Sequence, residues 1–72
     1  MAEERILKEI GQRIRARRKA LNLTQAELSY MCSTDPSYIR KVESGKVNIS
    51  IINLNEMAKA LEMTLSELLL NI

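Results

Sequence analysis

Residues 23–45 read LTQAELSYMCSTDPSYIRKVESG, and the punctuation of this stretch decides the fold. Thr24 with Glu27 three residues on is the reciprocal capping-box pattern that opens a helix. Leu28 and Met31 follow at helical spacing and supply an apolar stripe. The pattern stops at Cys32-Ser33-Thr34. Asp35 followed by Pro36 is a second start signal. The carboxylate accepts free backbone N–H groups, and proline stands at the first helical position, where its missing N–H costs nothing. Ile39 and Val42 keep the helical spacing, and Gly45 suits a C-cap. The reading is about one and a half turns of helix, a short break and about two further turns, neither long enough to be stable alone.

Two helices at that spacing form a helix-turn-helix, whose second helix enters the DNA major groove. Helix two is expected from Thr24 or Gln25 to Met31, and helix three from Pro36 to about Ser44. Upstream, a first helix is expected over roughly Ala2 to Leu21. Ile6, Leu7, Ile10, Ile14 and Leu21 share one stripe. Glu3 and Glu4 lie in its first turn and Arg17, Arg18 and Lys19 in its last, as the macrodipole favours. Gly11 inside it costs about 1 kcal/mol relative to alanine, and close packing against a neighbouring helix is one reason for it. Arg17 and Arg18 flank the stripe. One of them is expected to be partly buried against a carboxylate, with Glu43 the candidate; the alternative is that both reach water.

Downstream, Lys46 to Ser50 is a connection, and Ser50, or Asn48, caps a fourth helix. Ile51, Leu54, Met57, Ala58 and Leu61 mark its buried face, and Ile52 lies off that face. Thr64-Leu65-Ser66-Glu67 is a second capping box, opening helix five. Leu65, Leu68, Leu69, Leu70 and Ile72 are more aliphatic surface than one short helix can bury, which points to a subunit interface.

Composition narrows the function. Seventy-two residues suit a single domain, 1–72, whose core is marginal without a staple. A lone cysteine excludes an internal disulfide, and with no histidine there is no usual zinc set. No metal or cofactor is expected, and a homodimer is the expected source of extra stability. The charged stretch Met1 to Ile10 has no signal-like apolar run. Leu68-Leu69-Leu70 is too short to span a bilayer. A cytoplasmic protein with no membrane partner is expected. Net charge is only +2, but Ile10 to Lys46 hold eight Lys/Arg against three Asp/Glu, while both flanks are net acidic. That polarisation is a footprint for phosphate binding.

The candidate DNA contacts follow from placement. The N-terminus of helix two offers free N–H groups to a phosphate, with Gln25 adding a side-chain donor. Pro36, Ser37, Arg40 and Lys41 face outward from helix three, and Tyr38 lies at the boundary. Arg40 and Lys41 have the reach for guanine O6/N7 or the backbone, Ser37 for a base edge or phosphate, and Pro36 for a thymine methyl. Lys46 and Asn48 either reach phosphates or serve the turn. No paired carboxylates, Cys/His pair, glycine-rich phosphate loop or metal set suggests an enzyme, so no catalytic residue is assigned. Cys32 has no activating base in view and reads as a buried helix-end thiol; redox sensing is the alternative.

The segments LTQAEL, SYIRKVESGK and AKALEMTLSELL resemble the Cro/phage-repressor type of helix-turn-helix domain. That family includes phage repressors, antitoxins and the controller proteins of restriction-modification systems. The resemblance covers about Ile6 to Leu70, with Thr24-Gln25, Leu28, Ile39, Val42, Glu43, Gly45 and Ala58-Lys59-Ala60-Leu61 in register. It implies an all-α, compact five-helix, lambda-repressor-like DNA-binding domain. It implies that Gln25 contacts phosphate, that Pro36, Ser37 and Lys41 read bases, that Arg40 meets backbone or base, and that Tyr38 meets phosphate. It also implies a buried ion pair between Arg18 and Glu43, which selects Arg18 over Arg17. The chain departs from the pattern at Ser33, where glycine is usual, at Thr34 and Arg17, where aliphatics are common, and at Pro36, where a polar residue is expected.

The combined expectation is a sequence-specific transcriptional regulator, either a controller or a repressor. It binds double-stranded DNA as a homodimer on a pseudo-palindromic operator. Arg17 and Lys46 join the phosphate contacts, and Ile52, Leu65, Leu69 and Ile72 form the dimer interface. No small-molecule effector is expected. The alternative is a helical protein-interaction module, antitoxin-like or an anti-regulator, using the C-terminal apolar surface.

Overall fold

The computed structural model describes residues 2–72, and among them five helices and no strand are found. They are α1 Ala2–Ala20, α2 Gln25–Met31, α3 Pro36–Glu43, α4 Ile51–Ala60 and α5 Leu65–Leu68. Four of the starts carry a side-chain cap. Thr24 and Thr64 form complete capping boxes with Glu27 and Glu67. Asp35 caps α3 through the Tyr38 N–H, with Pro36 in the first turn, and Ser50 caps α4 through the Asn53 N–H.

One apolar centre holds the helices together. Ile10 and Ile14 of α1 meet Leu28 of α2, Ile39 and Val42 of α3, Leu54, Met57 and Ala58 of α4, then Leu61 and Leu68. α3 packs against both α1 and α2, while α5 bridges α1 and α4. Burying such side chains contributes about 1.5–3 kcal/mol each, which is what turns short, individually unstable helices into a fold.

Four positions differ from the periodic reading. Ile6 is exposed, because the first turns of α1 run past the end of the core. Met31 is half exposed, and the inward place at the end of α2 goes to Cys32, four residues after Leu28 rather than three. Ile51 is exposed at the first turn of α4, and Val47 and Ile49 from the preceding connection cover that corner of the core instead. α1 ends at Ala20, so Leu21 packs against the core from a turn rather than from the helix.

Four helix ends close by the same device. After α3 the Gly45 N–H donates to Val42 and the Lys46 N–H to Lys41, with Gly45 at φ 75°. This Schellman closure recurs at Asn22, Ser33 and Glu62, each with positive φ, after α1, α2 and α4. Ser33 takes the left-handed conformation at φ 54° in place of a glycine, at a cost of about 1–2 kcal/mol.

Gly11 has a specific reason. A Cβ there would lie 2.4 Å from the Val42 carbonyl oxygen and 2.6 Å from that of Glu43. The missing side chain lets α1 rest directly on the C-terminal backbone of α3. Gly11→Ala is therefore expected to lower stability by about 1–3 kcal/mol, despite alanine's better helix propensity, measured as a lower urea midpoint. Ser33→Gly is expected to raise the melting temperature by several degrees, a gain of about 0.5–1 kcal/mol after the added glycine entropy. An unchanged midpoint would show the left-handed turn to be unstrained.

Candidate nucleic-acid interface

α3 has two faces of opposite character. Ile39, Val42 and Glu43 are buried, and Pro36, Ser37, Arg40 and Lys41 are exposed. Its start is rigid. Pro36 presets the backbone, and Asp35 Oδ1 accepts the Tyr38 N–H at 3.0 Å and also the Ser37 hydroxyl. Those two donors, the hydroxyl foremost, hold the Asp35 carboxyl below the usual carboxylate range. Ser37 therefore presents its hydroxyl already committed as a donor. Tyr38 is half-buried against the core, and its hydroxyl accepts from Asn53 Nδ2 of α4 at 3.4 Å. Arg40 and Lys41 are exposed, with no hydrogen-bond or ion-pair partner among the described residues, Lys41 acting on Asp35 through its charge alone, and Lys46 stands exposed just beyond the Gly45 turn.

Beneath this surface lies a buried ionic knot. Arg18 Nε donates to Glu43 Oε2 at 2.6 Å and Arg18 Nη2 to Oε1 at 3.0 Å, a bidentate pair. Arg18 Nη1 donates to the Leu23 carbonyl at 2.8 Å, and Gln25 Nε2 donates to Glu43 Oε1 at 3.1 Å. Both charged residues are more than nine-tenths buried, and every buried side-chain polar atom among the described residues has a partner. The knot joins the end of α1, the end of α3 and the start of α2. Gln25 is anchored inward by one amide hydrogen, which leaves the second for an acceptor outside.

Two further arginines of α1 are engaged internally. Arg17 Nε donates to the Leu61 carbonyl at the end of α4, at 2.9 Å. Arg13 Nη1 donates to the carbonyls of Leu68 and Leu70, at 3.0 and 2.6 Å. Each places a cation on the negative end of a helix. Arg17, read from sequence as a phosphate contact, thus has its Nε turned to α4. The role of Arg13 has no signature in the sequence, because its acceptors lie 55 and 57 residues away.

The residues read as an interface are spread over two elements. Ile52 stands out on α4, Leu65 and Leu69 pack partly against the core, and Ile72 is exposed after α5 beside exposed Leu70. Cys32 is a free, half-buried thiol at the end of α2, and burial pushes its pKa up, with Glu56 adding to the shift. No group of metal-binding residues is found among the described residues, and no helix there is long and apolar enough to cross a membrane.

Comparison with known proteins gives the arrangement a context. Residues 14–68 match the helix-turn-helix family. The control protein C.MunI of Mycoplasma sp is 35% identical over 52 residues, 72% of this chain and 70% of that one. The restriction-modification controller protein C.AhdI from Aeromonas hydrophila superposes with a TM-score of 0.88 at 35% identity, over 94% of this chain and 99% of its own. The P22 c2 repressor, solved in complex with a synthetic operator, superposes with a TM-score of 0.78 at 35% identity, over 88% and 96% of the two chains. These relatives are control and repressor proteins, not enzymes.

Glu43→Ala is expected to cost about 3–5 kcal/mol by stranding a buried guanidinium, read as a loss of the urea transition. Replacing both partners, Arg18→Met with Glu43→Leu, should recover most of it; failure to recover would mean the knot does more than neutralise itself. At α5, Glu67 is held below the usual carboxylate range by the Thr64 N–H and hydroxyl. Its contribution is present at neutral pH and lost as pH falls through the depressed native value. The stability gap between wild type and Glu67→Gln should therefore close on acidification.

Proposed function

Given that the chain belongs to the helix-turn-helix family and is a DNA-binding regulator of the controller and repressor type, we propose that it binds a pseudo-palindromic operator as a homodimer. α3 is the reading helix. The observation that carries this is its exposed face: Pro36, Ser37, Arg40 and Lys41 are exposed on a helix whose other face is locked into the core. Gln25, tied to Glu43, holds one phosphate beside the N-terminus of α2, and Lys46 holds another. Arg40 and Lys41 donate to guanine O6/N7 or to the backbone. Arg17 acts chiefly through its charge, since its Nε serves Leu61.

The dimer brings two copies of α3 into successive major grooves, about 34 Å apart. Its apolar contact draws on Ile52, 71% exposed, on Leu70 and Ile72, 62% and 45% exposed, and on the edges of Leu65 and Leu69. Arg13 fixes the backbone of the Leu68–Leu70 turn that carries part of this surface. Occupying the operator controls access of polymerase. Dimerisation by mass action makes occupancy rise steeply with protein concentration, so no ligand is required.

Selection from a random duplex pool at near-physiological salt tests the reading. An enriched two-fold symmetric site with half-sites about one turn apart is expected. A flat pool, with binding that fades steeply as salt rises, would leave only phosphate attraction and favour a protein partner for the apolar surface. Arg40→Ala and Lys41→Ala should each weaken operator binding, with about 1–3 kcal/mol of discrimination lost at any base pair they read. Ile52→Glu should shift sedimentation toward monomer without loss of helicity; an unmoved dimer would place the interface elsewhere.

A further inference from the structure

We propose that Asp35 is a specificity-determining residue that, with Ser37, recognises the exocyclic amino group of cytosine in the major groove. The inference rests on α3 being the reading helix. Its basis is a chemical asymmetry at the start of that helix. Asp35 is exposed and lies beside Pro36 and Ser37, on the end of α3 whose outward residues face the groove. Its Oδ1 takes the Ser37 hydroxyl and the Tyr38 N–H. A carboxylate has about four acceptor sites, so capacity remains. Ser37 has given its only proton to Asp35, so its remaining capacity is also that of an acceptor. The pair therefore offers acceptors and no side-chain donor.

That pattern selects a base. Among major-groove edges, guanine and thymine turn acceptors outward and would be repelled. Adenine offers N6–H₂ but sets the N7 acceptor beside it, while cytosine offers its N4–H₂ donor alone. An acceptor-only pair fits cytosine. Arg40 and Lys41, one turn further along the same exposed face, supply the donors that suit guanine, so the helix carries both halves of a G·C reading. A carboxylate on a DNA-facing surface also repels phosphates. It lowers affinity for all duplexes except those that meet it with a donor, which makes it a discriminating rather than a binding element.

The test compares pool selection with wild type and with Asp35→Asn. Asparagine keeps the N-cap and the helix, but with its Oδ1 taken by the Ser37 hydroxyl and the Tyr38 N–H it turns only its amide donors to the groove, the pattern that suits the acceptors of guanine and thymine and not the cytosine amino group. Wild type is expected to enrich cytosine at one position in each half-site. Asp35→Asn is expected to lose that preference by about 5- to 150-fold, with guanine or thymine rising in its place, and to bind duplex lacking the site at least as tightly as wild type. A merely structural role would weaken all duplexes alike and leave the base preference in place. An unchanged consensus for the variant overturns the assignment of Asp35 while leaving α3 as the reader. A wild-type pool with no enriched site overturns the operator reading itself, and the assignment with it.

Discussion

The rest of the structure depends on one buried charge pair. Arg18 and Glu43 sit out of water, where neither charge is tolerable without the other. Their hydrogen bonds fix three backbone positions at once: the end of α1, the end of α3 and, through Leu23 and Gln25, the entry to α2. The reading surface is therefore set from beneath. A hydrophobic contact in the same place would permit sliding; a bidentate guanidinium–carboxylate pair has a direction and a length. Gly11 serves the same end, by letting α1 lie directly on the backbone that carries Glu43.

Short helices make the ends matter more than the middles. α2, α3 and α5 have seven, eight and four residues, so most of their backbone groups lie within a turn of a terminus. Side-chain caps satisfy the starts, and left-handed turns or arginines satisfy the finishes. The cations divide accordingly. Arg13, Arg17 and Arg18 of α1 serve the interior, while Arg40 and Lys41 of α3, and Lys46 beyond it, are exposed on the outer surface.

What the sequence made legible were local rules. The caps at Thr24, Asp35, Ser50 and Thr64 depend on residues three apart, and all four form. The core positions of α3 and α4 follow from spacing, apart from Ile51 at an end where the core has run out. Met31 and Cys32 exchange roles because periodicity locates a stripe only to within a residue at a helix end. The tasks of Arg13 and Arg17 were not legible. A guanidinium that seeks a backbone carbonyl leaves no mark on the residue that supplies it. On the reading face, type and exposure of side chains can be read from spacing, but the Ser37–Asp35 bond that removes a donor from that face is visible only in three dimensions.

The arginine anchors of α1 also bear on the order in which the domain is assembled. Arg13 and Arg17, near the beginning of the chain, close onto Leu61, Leu68 and Leu70, near its end. As the chain leaves the ribosome, the helix-turn-helix is synthesised well before these acceptors exist. α2 and α3 then lack both α4 and the carbonyls that hold α1 in place. A nascent chain stopped before Leu61 therefore carries the reading residues without the carbonyls that anchor Arg13 and Arg17.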